Sequence, residues 1–159
     1  MHVCTVHWQS DRWVDVQLSH LARNLSLPTR TYASLNGVDT AHRRKFSVAV
    51  DLPGRHAPKL NELGRIVSEH AERDDVLMFV DGDAFPIAPL DRWLDRTLER
   101  HPLAAVRRDE NNGDRQPHPC FCVTTVGFWN DIDGDWQEGT TTWLDNAGRE
   151  VSDVGGALL

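Results

Sequence analysis

Residues 76–86 read VLMFVDGDAFP, five apolar residues followed by two acids that flank a glycine. A short apolar run with acidic neighbours on both sides is typical of a β-strand buried on both faces of an α/β sheet. The acids Asp81 and Asp83 come directly after this strand. In open α/β sheets, ligands bind at the carboxyl ends of the strands, so the stretch predicts both a central strand and a site.

The rest of the chain alternates strand and helix patterns around this strand. Apolar residues at helical spacing predict the first helix: Val14, Leu18, Leu21 and Leu25. Alternating strands and helices predict an α/β three-layer sandwich with a mostly parallel sheet. The predicted strands are residues 1–8, 31–35, 46–50, 76–80, 103–106 and 120–126, and further helices are predicted near Pro58 and Leu90.

The composition limits the class of protein. The 159 residues carry a formal net charge of −7, which disfavours nucleic-acid binding because neutralising phosphates requires a surplus of Lys and Arg. No apolar run approaches the roughly 20 residues that cross a bilayer, and the N-terminus lacks the pattern of a signal peptide. We expect one domain spanning residues 1–159, cytoplasmic, with its three cysteines reduced.

Two acids separated by one residue favour a divalent cation. Mg²⁺ and Mn²⁺ are hard ions that take oxygen ligands, commonly one or two carboxylates together with substrate phosphates and water. Gly82 removes side-chain bulk and lets the backbone turn between Asp81 and Asp83. The competing interpretation is a pair of solvated turn acids that cap the next helix.

An Asp-Gly-Asp sequence after an apolar strand resembles the DxD motif of GT-A fold glycosyltransferases. The resemblance implies a GT-A fold and a reaction that moves a sugar from a nucleoside-diphosphate sugar to an acceptor hydroxyl. It implies that Asp83 is a direct ligand of Mn²⁺ or Mg²⁺, and that Asp81 contacts the metal, the ribose or both. In that group the cation offsets charge that develops on the departing nucleoside diphosphate.

The predicted helix around Pro58 supplies further candidates. Many GT-A enzymes carry a polar helix start before the DxD strand, and His56, Lys59 and Asn61 occupy that place here. A helix N-terminus favours anions through its free N–H groups. Lys59 adds a positive charge, so it is a candidate phosphate or sugar contact. The competing interpretation is an ordinary surface lysine, since the helix pattern places Lys59 on the outward face.

The ends of the first two strands are expected near the nucleotide. In the GT-A group the first strand ends beside the base, which nominates Thr5, His7 and Trp8 as substrate-binding residues. Trp8 either stacks on the base or packs in the core or at its rim. Asn36 ends the second strand and is a candidate for a hydrogen bond to the base or ribose, or for a turn role.

Three residues downstream are also candidates. His118 lies at the start of a strand, where the group makes acceptor or donor-sugar contacts. Arg107 and Arg108 follow another predicted strand and are suited to holding an acidic group, although a solvated pair is the competing interpretation. These residues would extend the predicted site beyond the nucleotide.

Asp153 is the candidate catalytic residue. It precedes Gly155-Gly156 and a predicted helix start, and many inverting GT-A enzymes place a carboxylate at such a point to take the acceptor's proton. The competing role is a helix N-cap. These enzymes often draw a further metal ligand from a later segment, so we expect that the domain lacks its C-terminal part.

Two other functions compete with a transferase. In haloacid-dehalogenase-like phosphatases the first Asp of a DxD motif is the nucleophile and the second is the acid/base. That motif normally continues with Thr or Val where this chain has Phe85, and it normally lies on the first strand. The other competitor is a non-catalytic nucleotide-sugar-binding relic. The acidic run Asp131–Asp135 lacks the spacing of an EF-hand and is interpreted as a solvated turn.

Overall fold

A six-stranded sheet organises the computed structural model, which describes residues 1–107 and 116–158. The strands are β1 (His2–Trp8), β2 (Arg30–Asn36), β3 (Val48–Val50), β4 (Val76–Asp81), β5 (Leu103–Val106) and β6 (His118–Thr125). Their order across the sheet is β3-β2-β1-β4-β6-β5. Strands β1 to β4 are parallel, whereas β6 is antiparallel to both β4 and β5. The predicted mostly parallel sheet is confirmed, and the six predicted strands are present.

Helices cover both faces of this sheet. The α-helices are α1 (Val14–Asn24), α2 (His56–Ser68), α3 (Asp91–Leu98) and α4 (Val126–Asp131). Short 3₁₀ helices span Thr40–Lys45 and Gly156–Leu158, and a small hairpin pairs β7 (Trp143–Leu144) with β8 (Glu150–Val151). No helix within the described residues is long and apolar enough to cross a membrane.

Strand β4 divides the core because its successive side chains point to opposite faces. Leu77 and Phe79 pack with α2 and α4, where Phe79 lies 4.9 Å from Trp129 between ring centroids. Met78 and Val80 pack on the other face with residues of α1 and α3. All four β4 side chains are at most 2 % exposed. This continuous burial explains the unbroken apolar run and confirms the three-layer α/β sandwich.

The parallel arrangement gathers several strand ends at one edge of the sheet. Trp8, Asn36 and Asp81 end β1, β2 and β4, which run in the same direction. His118 begins β6, which runs against β4, so it lies at that edge as well. Residues that are far apart in sequence therefore meet where the predicted site should be.

Within the described residues, the helix start predicted after Asp153 is a short 3₁₀ helix and not an α-helix. Only the three-residue 3₁₀ turn Gly156–Leu158 follows, after a single bridge between Glu138 and Val154. Gly155 has φ +98°, which lies outside the helical region, and a Cβ on it would lie 2.1 Å from the Pro117 carbonyl oxygen. Two chain segments cross closely at this glycine pair, so the helical turn begins at Gly156 and does not include Asp153.

Candidate functional site

A pocket of about 620 Å³ lies at the carboxyl ends of β1 and β4, beside the start of α2. Its lining includes two acids at and just after the end of β4, two polar side chains of α2 and the side chains that end β1. The predicted site residues that line it are His7, Trp8, His56, Lys59, Asp81 and Asp83. The structure therefore brings together three of the segments that sequence patterns nominated separately.

The two acids differ in their surroundings although they line the same pocket. Asp81 is the last residue of β4, and its Oδ1 lies 3.3 Å from His56 Nε2 at the first turn of α2. Asp83 is exposed at the pocket wall, one residue beyond Gly82. Asp81 and Asp83 therefore line one pocket, the first partly buried beside His56 and the second exposed.

Gly82 is pressed against β1. A Cβ at this position would lie 2.5 Å from the Val6 carbonyl oxygen and 2.8 Å from His7 Nδ1. No side chain larger than hydrogen fits there without a shift of the β1 backbone. The glycine between the acids therefore serves close approach of the turn to the neighbouring strand, in addition to the flexibility that the sequence indicated.

Lys59 is buried, which corrects its predicted outward orientation. The residue is 1 % exposed, and its Nζ lies 4.2 Å from the centre of the Trp8 ring, a cation–π arrangement. Burial lowers the pKa of the Lys59 ammonium, and the charge of Asp51 opposes this shift. Within the described part of the chain, no carboxylate forms a salt bridge with Lys59. The Trp8 ring contacts this ammonium directly, and the Asp51 carboxylate acts on it without a salt bridge.

Trp8 is 58 % exposed, so it is a pocket-rim residue and does not pack in the core. One face of its indole contacts the Lys59 ammonium, and the ring borders the same volume as the two acids. An exposed aromatic ring beside a buried cation is suited to a flat ligand that carries negative charge. The arrangement matches the chemistry of a nucleotide in general terms.

Thr5 and Asn36, two of the predicted contact residues, form hydrogen bonds elsewhere in the protein. Thr5 is 1 % exposed and donates its hydroxyl hydrogen to Gln17. Asn36 donates to the Asp51 carboxylate and, at 2.9 Å, to the Leu52 carbonyl, which fixes the chain after β3. Their side chains hold neighbouring segments and are not among the residues that line the pocket.

Asn61 likewise joins α2 to the segment that follows α4. It donates to the Asp135 carboxylate and accepts a hydrogen bond of 2.8 Å from the Trp136 backbone N–H. Asp135 belongs to the acidic run that was interpreted as a solvated turn. It is instead a partly enclosed contact that holds the buried Trp136 against α2.

The downstream candidates lie away from the pocket lining. Arg107 is exposed just after the edge strand β5, and Arg108 falls outside the described residues. His118 Nδ1 accepts a hydrogen bond of 3.1 Å from the Cys120 N–H at the start of β6. Asp153 accepts one of 2.8 Å from the Val154 N–H. Their predicted roles in acceptor binding and proton transfer stay predictions.

Sequence patterns missed Gln17, a buried polar residue of α1. It is 0 % exposed and donates a hydrogen bond of 2.7 Å to the carbonyl oxygen of Asp81. The buried face of α1 consists of Val14, Gln17, Leu21 and Asn24, and Leu18 is only partly buried. A polar residue three positions after Val14 and four before Leu21 was the available signal, because that spacing places it on the inner face.

The residues present fit a divalent cation that is bound partly by protein carboxylates and partly by a substrate. Two carboxylates beside an open pocket are the protein ligands that Mg²⁺ and Mn²⁺ commonly take, with phosphate and water completing the shell. In residues 1–107 and 116–158, no group of three or more His, Cys, Asp or Glu side chains is arranged to hold a metal. Asp81 and Asp83 therefore suit a cation that takes its remaining ligands from substrate phosphates and water, and not a metal whose ligands all come from the protein.

No protein-family model and no curated protein matches the chain. Solved structures do match it. A mannosyltransferase from Pyrobaculum calidifontis, PcManGT in complex with GDP-Man and Mn²⁺, superposes with a TM-score of 0.60 and 12 % identity, over 86 % of this chain and 47 % of that one. S. aureus TarS in complex with UDP-GlcNAc gives a TM-score of 0.58 and 13 % identity, over 86 % and 48 %.

The galactosyltransferase LgtC, in complex with donor and acceptor sugar analogues, gives a TM-score of 0.51 and 14 % identity, over 82 % of this chain and 60 % of that one. The chain therefore spans between 47 % and 60 % of the length of these three solved structures. Identities this low establish the fold alone. With its sheet order, its antiparallel β6 and its strand-end pocket, the chain has the GT-A fold of nucleotide-sugar glycosyltransferases.

Proposed function

We propose that this chain forms the donor-binding part of a metal-dependent glycosyltransferase, which moves a sugar from a nucleoside-diphosphate sugar to an acceptor hydroxyl. One observation carries the proposal: Asp81 and Asp83 line the same pocket as Lys59 and Trp8. Acids for a cation, an ammonium for a phosphate and an aromatic face for a base are the groups that a nucleoside diphosphate requires.

In this proposal each pocket residue contacts a different part of the donor. Asp81 and Asp83 would hold Mn²⁺ or Mg²⁺, which when bound offsets charge on the departing diphosphate. Lys59 would neutralise a phosphate oxygen, and Trp8 would stack against the base. His56, beside Asp81, would donate a hydrogen bond to a phosphate or sugar oxygen.

The start of α2 supplies positive charge beside the pocket, which would help to bind the donor's phosphates. The chain has a formal net charge of −7, so its average field repels a diphosphate. The 13-residue helix α2 begins at His56 beside the pocket, and Arg55 and Lys59 lie in the pocket lining. A helix N-terminus with two cationic side chains gives a positive region that favours the donor's phosphates.

Transfer of the sugar also requires residues that receive the acceptor. If the reaction inverts the anomeric centre, Asp153 is our candidate for the base that takes the acceptor's proton. It lies outside the donor pocket lining, so the acceptor hydroxyl would approach from the side of the Glu138–Val154 bridge. His118 and Arg107, near the same sheet edge, are our candidates for contacts with the acceptor or the transferred sugar.

Calorimetric titration with UDP and with GDP, each with and without Mn²⁺, tests the donor site. We expect Mn²⁺ to strengthen binding of one nucleotide. Asp83→Ala should remove at least tenfold of that affinity, about 1.4 kcal/mol, because it deletes a metal ligand. Asp74→Ala is the matched control, since Asp74 is an exposed acid just before the opposite end of β4.

Binding that is indifferent to both Mn²⁺ and Asp83→Ala would contradict the metal-dependent donor site. Release of phosphate from a simple phosphoester would instead favour the phosphatase alternative. Metal-dependent nucleotide binding without sugar transfer or donor hydrolysis would favour a binding relic.

A further inference from the structure

Gln17 links α1 to the backbone of the turn that carries the two acids. Its Nε2 donates hydrogen bonds to the carbonyl oxygens of Asp81 at 2.7 Å and Ala84 at 2.8 Å. These carbonyls belong to the two ends of the four-residue turn 81–84, which is also closed by a hydrogen bond of 2.9 Å from the Ala84 N–H to the Asp81 oxygen. One side-chain amide therefore spans the whole Asp-Gly-Asp-Ala turn.

The orientation of this amide is fixed from its other side. Gln17 Oε1 lies 3.2 Å from Thr5 Oγ1, which donates to it, and 3.1 Å from His7 Nε2. Because an amide oxygen only accepts, His7 Nε2 carries the hydrogen in this contact. Both donors of the Gln17 amide and both acceptor positions of its oxygen are thus occupied, in a site that is 0 % exposed.

Two further residues on the same face of α1 hold the chain just beyond the turn. His20 Nδ1 lies 2.9 Å from the Pro86 carbonyl oxygen, and Asn24 Nδ2 donates to that oxygen at 2.8 Å. Positions 17, 20 and 24 lie on one helix face, since residues three and four apart are neighbours. The polar face of Gln17, His20 and Asn24 therefore fixes residues 81–86 from one side.

We propose that Gln17 is a positioning residue that holds the turn so that the carboxylates of Asp81 and Asp83 face one pocket. The inference rests on the proposed function for what those carboxylates bind. With the Asp81 and Ala84 carbonyls fixed, the two acids keep only their own side-chain rotations. Groups that orient metal ligands in this way typically change metal affinity by about 10–100-fold when removed.

The test compares Gln17→Met with Val14→Ala. Methionine is similar to glutamine in size and makes no strong hydrogen bond, so it removes the link to the turn. Val14 is a fully buried α1 residue in a core cluster with Ala33, Leu35 and Phe46, separate from the cluster that contains Met78 and Val80 of β4. Val14→Ala therefore weakens α1 packing while leaving Gln17 in place.

Two measurements are made on each protein, after thermal unfolding confirms that it is folded. The first is the affinity for UDP and GDP with and without Mn²⁺. We expect Gln17→Met to lose about tenfold in the Mn²⁺-dependent part of the affinity while binding without Mn²⁺ is unchanged. The second is hydrogen exchange of the Ala84 amide by NMR, which should accelerate about tenfold in Gln17→Met only.

The outcomes separate this inference from the proposed function. If wild-type binding shows no dependence on Mn²⁺, the proposed function fails, and the Ala84 exchange rate alone decides the role of Gln17. If Gln17→Met keeps the wild-type Mn²⁺ dependence and exchange rate, or loses no more than Val14→Ala does, the positioning role is overturned.

Gln17→Glu serves as the second variant if Gln17→Met does not fold. A carboxyl group of the same shape places acceptor oxygens against the Asp81 and Ala84 carbonyls, and even when protonated it donates one hydrogen bond where Gln17 donates two. The same loss of Mn²⁺-dependent affinity and the same faster Ala84 exchange are expected. Retention of both wild-type values in a folded Gln17→Glu protein overturns the proposal.

Discussion

Helices α1 and α2 pack on opposite faces of the sheet and approach the same turn. They differ in whether their buried polar side chains find hydrogen-bonding partners within the protein. On α1, Gln17 is buried with every hydrogen-bonding position occupied. On α2, Lys59 is equally buried, and its ammonium contacts the ring of Trp8. On α1 the hydrogen bonds of Gln17 are all made within the protein, whereas Lys59 on α2 lies in the pocket lining.

The difference separates positioning from binding. A buried polar group whose partners are all within the protein makes the local geometry rigid and adds nothing for a ligand to satisfy. A buried charge without an acidic partner has a lowered pKa and costs stability, which is typical of functional sites. We therefore expect α1 substitutions to reduce stability and, at Gln17, the Mn²⁺-dependent part of binding, whereas substitution of Lys59 on α2 should weaken nucleotide binding directly.

Gly82→Ala is expected to have the largest effect on stability, because Gly82 lies in the turn 81–84 that both helices approach. Its Cβ would lie 2.5 Å from the Val6 carbonyl oxygen, so β1 or the turn must move. We expect a loss of about 3 kcal/mol in the free energy of unfolding, measured by urea denaturation.

Gly54→Ala provides the matched control for this substitution. Gly54 has φ +90° but no heavy atom within 4 Å of the added Cβ, so it tests backbone strain without a clash. Its expected cost is about 1 kcal/mol. Equal losses for the two variants would show that the approach of Gly82 to β1 is not a close packing constraint.

Asn24→Leu tests the α1 side of the comparison. Asn24 is 5 % exposed and donates to the carbonyl oxygens of Pro86 and His20. Leucine has a similar size and cannot donate, so the Pro86 oxygen keeps only the hydrogen bond from His20. We expect a loss of about 1.5 kcal/mol in the free energy of unfolding.

Arg23→Leu is the control for Asn24→Leu, since Arg23 is the exposed neighbour on the same helix turn. A change within about 0.5 kcal/mol is expected there. If Asn24→Leu is as stable as Arg23→Leu, the polar face of α1 contributes little to holding residues 81–86.

Features that depend on a local sequence pattern were predictable, whereas features that depend on distant parts of the chain were not. The run Val76–Val80 identified β4, because a strand buried on both faces must be apolar throughout. Asp81 and Asp83 followed from their place at its carboxyl end. The antiparallel direction of β6 was not predictable, since strand pairing over 40 residues of separation leaves no local pattern.

The orientation of Lys59 was predicted wrongly and Gln17 was missed for one physical reason. Helix patterns assign charged and amide side chains to solvent, because burying them is normally costly. Here the cost is offset by contacts that come from other parts of the chain, Trp8 for Lys59 and the turn carbonyls for Gln17. Such long-range partners are visible only in the fold.

Lys59→Met tests the role of α2. Unlike the preceding substitutions, it is expected to increase the free energy of unfolding. Removing a buried charge should raise the free energy of unfolding by about 1 kcal/mol, which corresponds to about 2–4 °C in Tm for a chain of this length. Binding of UDP or GDP should weaken about tenfold, because the phosphate loses its ammonium partner. Lys45→Met is the control, since the other lysine forms an exposed pair with Asp15 at 2.6 Å.

The pH dependence of this stability difference identifies its cause. Burial lowers the pKa of Lys59 below its ordinary value of 10.5. Between the lowered pKa and 10.5 the unfolded chain binds a proton that the folded protein does not, so wild-type stability rises with pH in that window. The Lys59→Met variant lacks this gain. Its advantage, measured by urea denaturation at pH 7 and pH 10, should therefore be smaller at pH 10. An advantage that is constant or larger at pH 10 would contradict a buried, destabilised ammonium, and with it the contrast between α1 and α2.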